Sequence, residues 1–107
     1  MTSKAGRSSE HDIAYAAMKY LASLPMGTAT TATVKKHIPN FIKLTPGDNE
    51  PSDTRPNEEV WRQVVGNIVS HRLESPENFI NRGLIDYTGG KWSLTAAGRA
   101  FLAKHGV

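Results

Sequence analysis

Arg62, Gln63, Gly66, Asn67 and Ser70 share one face of a single amphipathic segment, and several of these residue types can read the edge of a base. An arginine fork bonds guanine O6 and N7, and a glutamine or asparagine amide pairs with adenine N6 and N7 in the major groove. A glycine inside a helix costs about 1 kcal/mol relative to alanine. Gly66 therefore points either to close approach of a ligand or to tight packing against another helix. The plainer reading of the face is an ordinary solvated surface. Lys35, Lys36, Lys43, Arg55 and Lys91 lie elsewhere along the chain and suit contacts to phosphate, which fix register without reading sequence. Each of them taken alone reads more readily as solubility charge.

Little else in the chain suggests chemistry. His11, His37, His71 and His105 have no paired spacing, and there is no cysteine, so neither a disulfide framework nor a zinc site is expected. A nuclease-like carboxylate group with Glu-x-Lys, a nucleophile elbow and a phosphate loop are all missing from the sequence. The expectation is a binding protein with no catalytic residues and no cofactor.

Length and composition fit one globular domain: 107 residues, 38% hydrophobic and 21% charged. No apolar run approaches the ~18 residues of a membrane span, and Met1 to Ser9 lacks a signal-peptide core. No membrane partner is expected, and the cytoplasm is the expected compartment, with the nucleoid if the chain binds DNA. The net charge of +3 is a weak basic bias. In the middle of the chain Glu58, Glu59, Glu74, Glu77 and Asp86 outnumber Arg62, Arg72 and Arg82. That acidic centre favours a protein partner over nucleic acid.

The elements that must position these residues can be read from periodicity. Residues 1–9 read as a polar tail, with Lys4 and Arg7 as a possible basic arm, and residues 10–107 as one domain. Ile13, Ala17, Tyr20, Leu21 and Leu24 mark a first helix from Glu10 to Leu24, with Ser9 and Asp12 at its start and Pro25 and Gly27 after it. Thr30 or Thr31 caps a short second helix that carries Lys35, Lys36 and His37 and stops at Pro39. Lys43 to Asn57 holds three prolines and almost nothing apolar, which predicts a long surface loop.

A third helix follows, with Asn57 at its cap, Glu58 and Glu59 in its first turn, and a stripe of Val60, Trp61, Val64, Val65, Ile68 and Val69. Ser75-Pro76 predicts a further short helix ending at Gly83. Leu84 to Leu94 reads as a hairpin around Gly89-Gly90, with Tyr87 facing Trp92 and Ile85 facing Leu94. Trp61, Tyr87 and Trp92 fall on apolar faces and are expected in the core. Thr95 caps a last helix reaching towards Gly106. The expected fold is mainly α with a small β-hairpin, on the winged helix-turn-helix plan.

Residues Leu44 to Pro56 (LTPGDNEPSDTRP), Trp61, and Gly83 to Leu102 (GLIDYTGGKWSLTAAGRAFL) carry a resemblance. Together they resemble the winged-helix domain at the N-terminus of Mrr-type restriction proteins and related bacterial DNA-binding modules, over roughly residues 13–103. One departure is the stretch Arg72 to Arg82, which separates the tryptophan-bearing helix from the strand that follows it in the family pattern. The resemblance implies double-stranded DNA as partner. It also implies a role as a small regulator or as the DNA-reading component of a restriction system, with a nuclease or methyltransferase subunit or a second copy as companion. The alternative is a protein-interaction or dimerisation module of the same fold that does not bind DNA.

Overall fold

The computed structural model describes residues 9–51 and 58–104. Its first helix, α1 (Glu10–Ala22), starts at a full capping box. Ser9 Oγ accepts from the Asp12 amide at 3.0 Å, and Asp12 Oδ2 accepts from the Ser9 amide at 3.1 Å, so Ser9 belongs to the domain and not to a tail. The helix ends before Leu24, the residue ahead of Pro25, and the Ser23 hydroxyl there donates back to the Tyr20 carbonyl at 2.6 Å. Its inner face buries Ile13, Ala17, Met18 and Leu21.

A strand not expected from the sequence, β1 (Thr28–Thr30), precedes α2 (Thr31–His37). Thr30 ends the strand and also caps the helix, its hydroxyl accepting from the Thr33 amide at 3.3 Å. A 3-10 turn, Ile38–Asn40, continues from α2 through Pro39. The described part of the long loop then does structural work. Thr45 and Asp48 bond reciprocally, each side chain to the other's amide, and Asp48 is buried.

That loop corrects the expected start of the third helix, α3 (Val60–Ser70). Glu50 O accepts from the Val60 amide at 2.8 Å and Asp48 O from the Trp61 amide at 3.1 Å. Backbone carbonyls thus fill the place a side-chain cap would take. Glu59 occupies the capping position without a side-chain cap bond, and Glu58 precedes it, so neither acid lies in the first turn. Asn57 lies outside the described residues.

The helix predicted from Ser75 to Gly83 does not form. Residues 71–83 run as successive turns, and the reason is Asn78. Its buried side chain accepts from the amides of Ile80 and Asn81 and donates to Ile68 O at 2.7 Å. A single turn therefore opens at Asn78, with Arg82 N–H closing onto Asn78 O, in place of a helix opening at Ser75.

Strands β2 (Ile85–Thr88) and β3 (Lys91–Leu94) pair in the expected register, Tyr87 opposite Trp92 and Ile85 opposite Leu94. Both turn glycines, Gly89 and Gly90, have positive φ, which a two-residue hairpin of this kind requires. β1 adds to the other side of β3, placing Thr28 opposite Ser93 and Thr30 opposite Lys91. The hairpin is thereby one side of a three-stranded antiparallel sheet in the order β1-β3-β2. Thr95 caps α4 (Ala96–Lys104) by accepting from the Gly98 amide, and its hydroxyl also reaches the carbonyls of Gly83 and Leu84.

Among the described residues the architecture is mixed: four α-helices and one small sheet around a core led by Trp92, Phe79, Ile13, Met18 and Ile68. No described helix is long and apolar enough to cross a membrane.

Candidate functional site

Amphipathicity orients α3. Trp61, Val65 and Ile68 are buried, with Val64 and Val69 packed at the core's edge, so the remaining face turns outward. Gln63, Gly66, Asn67 and Ser70 line a cleft of about 240 Å³ there, together with Thr31, Lys35, Val69 and Tyr87. α2 forms one wall, α3 the floor, and the β2 side chain Tyr87 the other wall. Four of the five α3 residues expected at a binding face thus meet in one place, joined by Lys35.

Gly66 resolves one alternative. A Cβ built on it meets nothing within 4 Å, so the glycine does not serve contact with another helix. Gly98 behaves oppositely. A Cβ there would overlap the Leu84 carbonyl oxygen and lie 2.6 Å from Leu94 Cδ1, so that glycine lets α4 lie against the start of β2.

The cations around the cleft are engaged with acids. Lys35 Nζ lies 3.0 Å from Glu58 Oε2, both side chains about one-fifth exposed. Arg62 Nε lies 2.8 Å from Glu59 Oε1, both more open, and its guanidinium stacks on Trp61 at 4.6 Å from the ring centroid. Arg62 therefore sits beside the cleft without lining it. Lys36 is exposed on α2, Lys43 is exposed beyond the 3-10 turn, and Lys91 is exposed at the start of β3, next to the hairpin turn. None of these three lines the cleft. Arg55, Lys4, Arg7 and His105 lie outside the described residues.

Tyr87 and Thr31 were not expected at the site. Trp61 and Trp92 are core residues as expected, but Tyr87 is only half-buried and faces the cleft. Arg72 steadies its ring from 5.2 Å and donates to Val69 O, the C-terminal end of α3, at 2.6 Å. The strand alternation placed Tyr87 on the apolar face correctly, but where that face runs out of core is a property of the assembled fold. Thr31 enters through Trp92, whose indole donates to the Thr31 hydroxyl.

A second cleft of similar volume lies between the N-terminus of α1 and the 75–79 turn, lined by Glu10, His11, Glu77 and Phe79 among others. It gathers none of the expected site residues. His71, at the end of α3, bonds Glu10 at 3.0 Å and so ties α3 to α1. Among the described residues no group of three or more His, Asp or Glu side chains is arranged to hold a metal ion. No protein-family model, no curated protein and no solved structure matches the chain.

Proposed function

We propose that the chain is a non-catalytic winged helix-turn-helix protein that binds double-stranded DNA through the outer face of α3. In this reading Gln63, Asn67 and Arg62 address base edges in the major groove, and Gly66 lets the helix lie close. Lys35, Lys36, Lys43 and Lys91 contact phosphates, and the β2–β3 hairpin is the wing. The order of helices followed by a hairpin supports the fold assignment and agrees with the Mrr-like resemblance in the sequence.

One observation carries the proposal: an interior helix glycine with open space before it, set among Gln63, Asn67 and Ser70. Packing does not account for Gly66, whereas a ligand against that face does. A DNA-reading role beside a nuclease or methyltransferase subunit, in the cytoplasm or nucleoid of a bacterium, follows from the same reading.

A second reading, a protein-interaction or dimerisation module, is favoured by Glu58 and Glu59. They hold Lys35 and Arg62 and lower the positive potential of the face. Titration with a duplex of mixed sequence separates the two. The DNA reading expects dissociation constants around micromolar or tighter at low salt, with log K falling by about 0.9 per phosphate contacted for each unit of log salt. Absence of binding at about 50 mM salt overturns it in favour of the interaction module.

A further inference from the structure

Glu58 and Glu59 occupy an unusual position for acids beside a nucleic-acid face. They stand at the entry to α3, where Glu59 gives its carbonyl to the amides of Arg62 and Gln63. The amides of Val60 and Trp61 are filled by carbonyls of the preceding loop, and Glu59, though in the capping position, makes no side-chain cap bond. The carboxylate of each acid pairs with a cation flanking the reading face, Glu58 with Lys35 and Glu59 with Arg62. Lys35 lines the cleft itself, and Arg62 lies one turn before Gly66 on the same helix face. A carboxylate competes with phosphate for ammonium protons and with a base edge for guanidinium protons, so a cation held by an acid has a counter-ion already in place.

We propose that Glu58 and Glu59 form an internal counter-ion latch that must release Lys35 before DNA phosphate can take it and Arg62 before a base edge can. The inference rests on the DNA-binding reading. It adds that affinity is set below what the cations of the face could deliver, and that anything neutralising either acid raises it. The two halves differ in strength: the Arg62–Glu59 pair is the more exposed and the more easily exchanged. In the wild-type protein a cation transferred from carboxylate to phosphate replaces one partner by another. A cation set free beforehand brings its full charge to the phosphate and displaces a counter-ion condensed on the DNA, so it contributes fully to the salt dependence.

The test compares wild type with Glu58→Gln, Glu59→Gln and the double variant, binding a mixed-sequence duplex across a salt series. Glu77→Gln is the charge control, because it changes the net charge equally but lies at the other cleft and frees neither cation. The expected result is an affinity gain of about two- to five-fold for each latch substitution, with the salt slope steeper by about one for Glu58→Gln, which frees the phosphate-binding lysine. Lys35→Gln should cancel the gain of Glu58→Gln, as coupling requires. Circular dichroism melts accompany each variant, and Glu59→Gln, in the exposed pair, carries the test if Glu58→Gln unfolds. Wild-type binding with gains no larger than that of Glu77→Gln overturns the latch and leaves the DNA reading standing. No binding by wild type or by any variant overturns both.

Discussion

The indole Nε1 of Trp92 donates to the hydroxyl of Thr31 at 2.8 Å, fastening the central strand of the sheet to the first residue of α2. Trp92 is fully buried, and this bond satisfies its one polar atom. It also fixes how far α2 stands from the sheet, and hence one wall of the cleft where Lys35 and Thr31 face Tyr87.

Trp92→Ala should therefore destabilise the protein by about 3–5 kcal/mol, the usual range for truncating a buried aromatic. Lys91→Ala, one residue away and exposed, should leave stability unchanged. Thr31→Val should cost about 1–3 kcal/mol by stranding the indole N–H. Urea or thermal unfolding of the three variants checks the order, and a Trp92→Ala melt equal to wild type would contradict this packing.

Asn78 holds the turns between α3 and β2 together through bonds to Ile68, Ile80 and Asn81. Asn78→Ala removes all of them and strands buried backbone groups, at a cost of about 1–3 kcal/mol. Asn78→Asp keeps the acceptor but loses the donor to Ile68 O, so it should recover only part of that stability. Equal melts for Asn78→Ala and wild type would show that the turn stands without this side chain.

The role of each polar residue on α3 differs from that of the lysines. Asn67→Ala should weaken binding to a selected duplex by about 1–3 kcal/mol more than to a scrambled one, because a base-edge contact carries discrimination. Lys36→Ala and Lys91→Ala should weaken both duplexes alike, since phosphate contacts carry no direct sequence information. Parallel titrations of the two duplexes decide it, and equal losses for Asn67→Ala on both would remove Asn67 from base reading.

Periodicity and turn chemistry made much of the fold legible. The bodies of helices α1 to α4, the cap at Ser9 and the hairpin register from Ile85 to Leu94 depend on neighbours in sequence, and they form as expected. The features that escaped depend on distant partners. β1 is three residues long and has no alternation of its own; it exists because β3 offers an edge. Asn78 overrode the Ser75-Pro76 start signal only because Ile68 O lies within its reach. At the site, the shared face of Gln63, Gly66, Asn67 and Ser70 followed from helical spacing. The nearness of Tyr87 and the pairing of Lys35 with Glu58 across 23 positions did not.

The account turns on Gly66, and replacing it tests the central claim most directly. Because a Cβ there meets nothing within 4 Å, Gly66→Leu should fold normally and gain up to about 1 kcal/mol of stability from better helix propensity. Gly98→Ala provides the contrast, since its Cβ overlaps the Leu84 carbonyl and should lower the melting temperature. If α3 lies in the major groove, the leucine side chain projects into the space the DNA must occupy. Gly66→Leu should then melt at or above the wild-type temperature and lose binding to a duplex that the wild-type protein binds. A stable Gly66→Leu protein that binds that duplex with wild-type affinity would contradict the account.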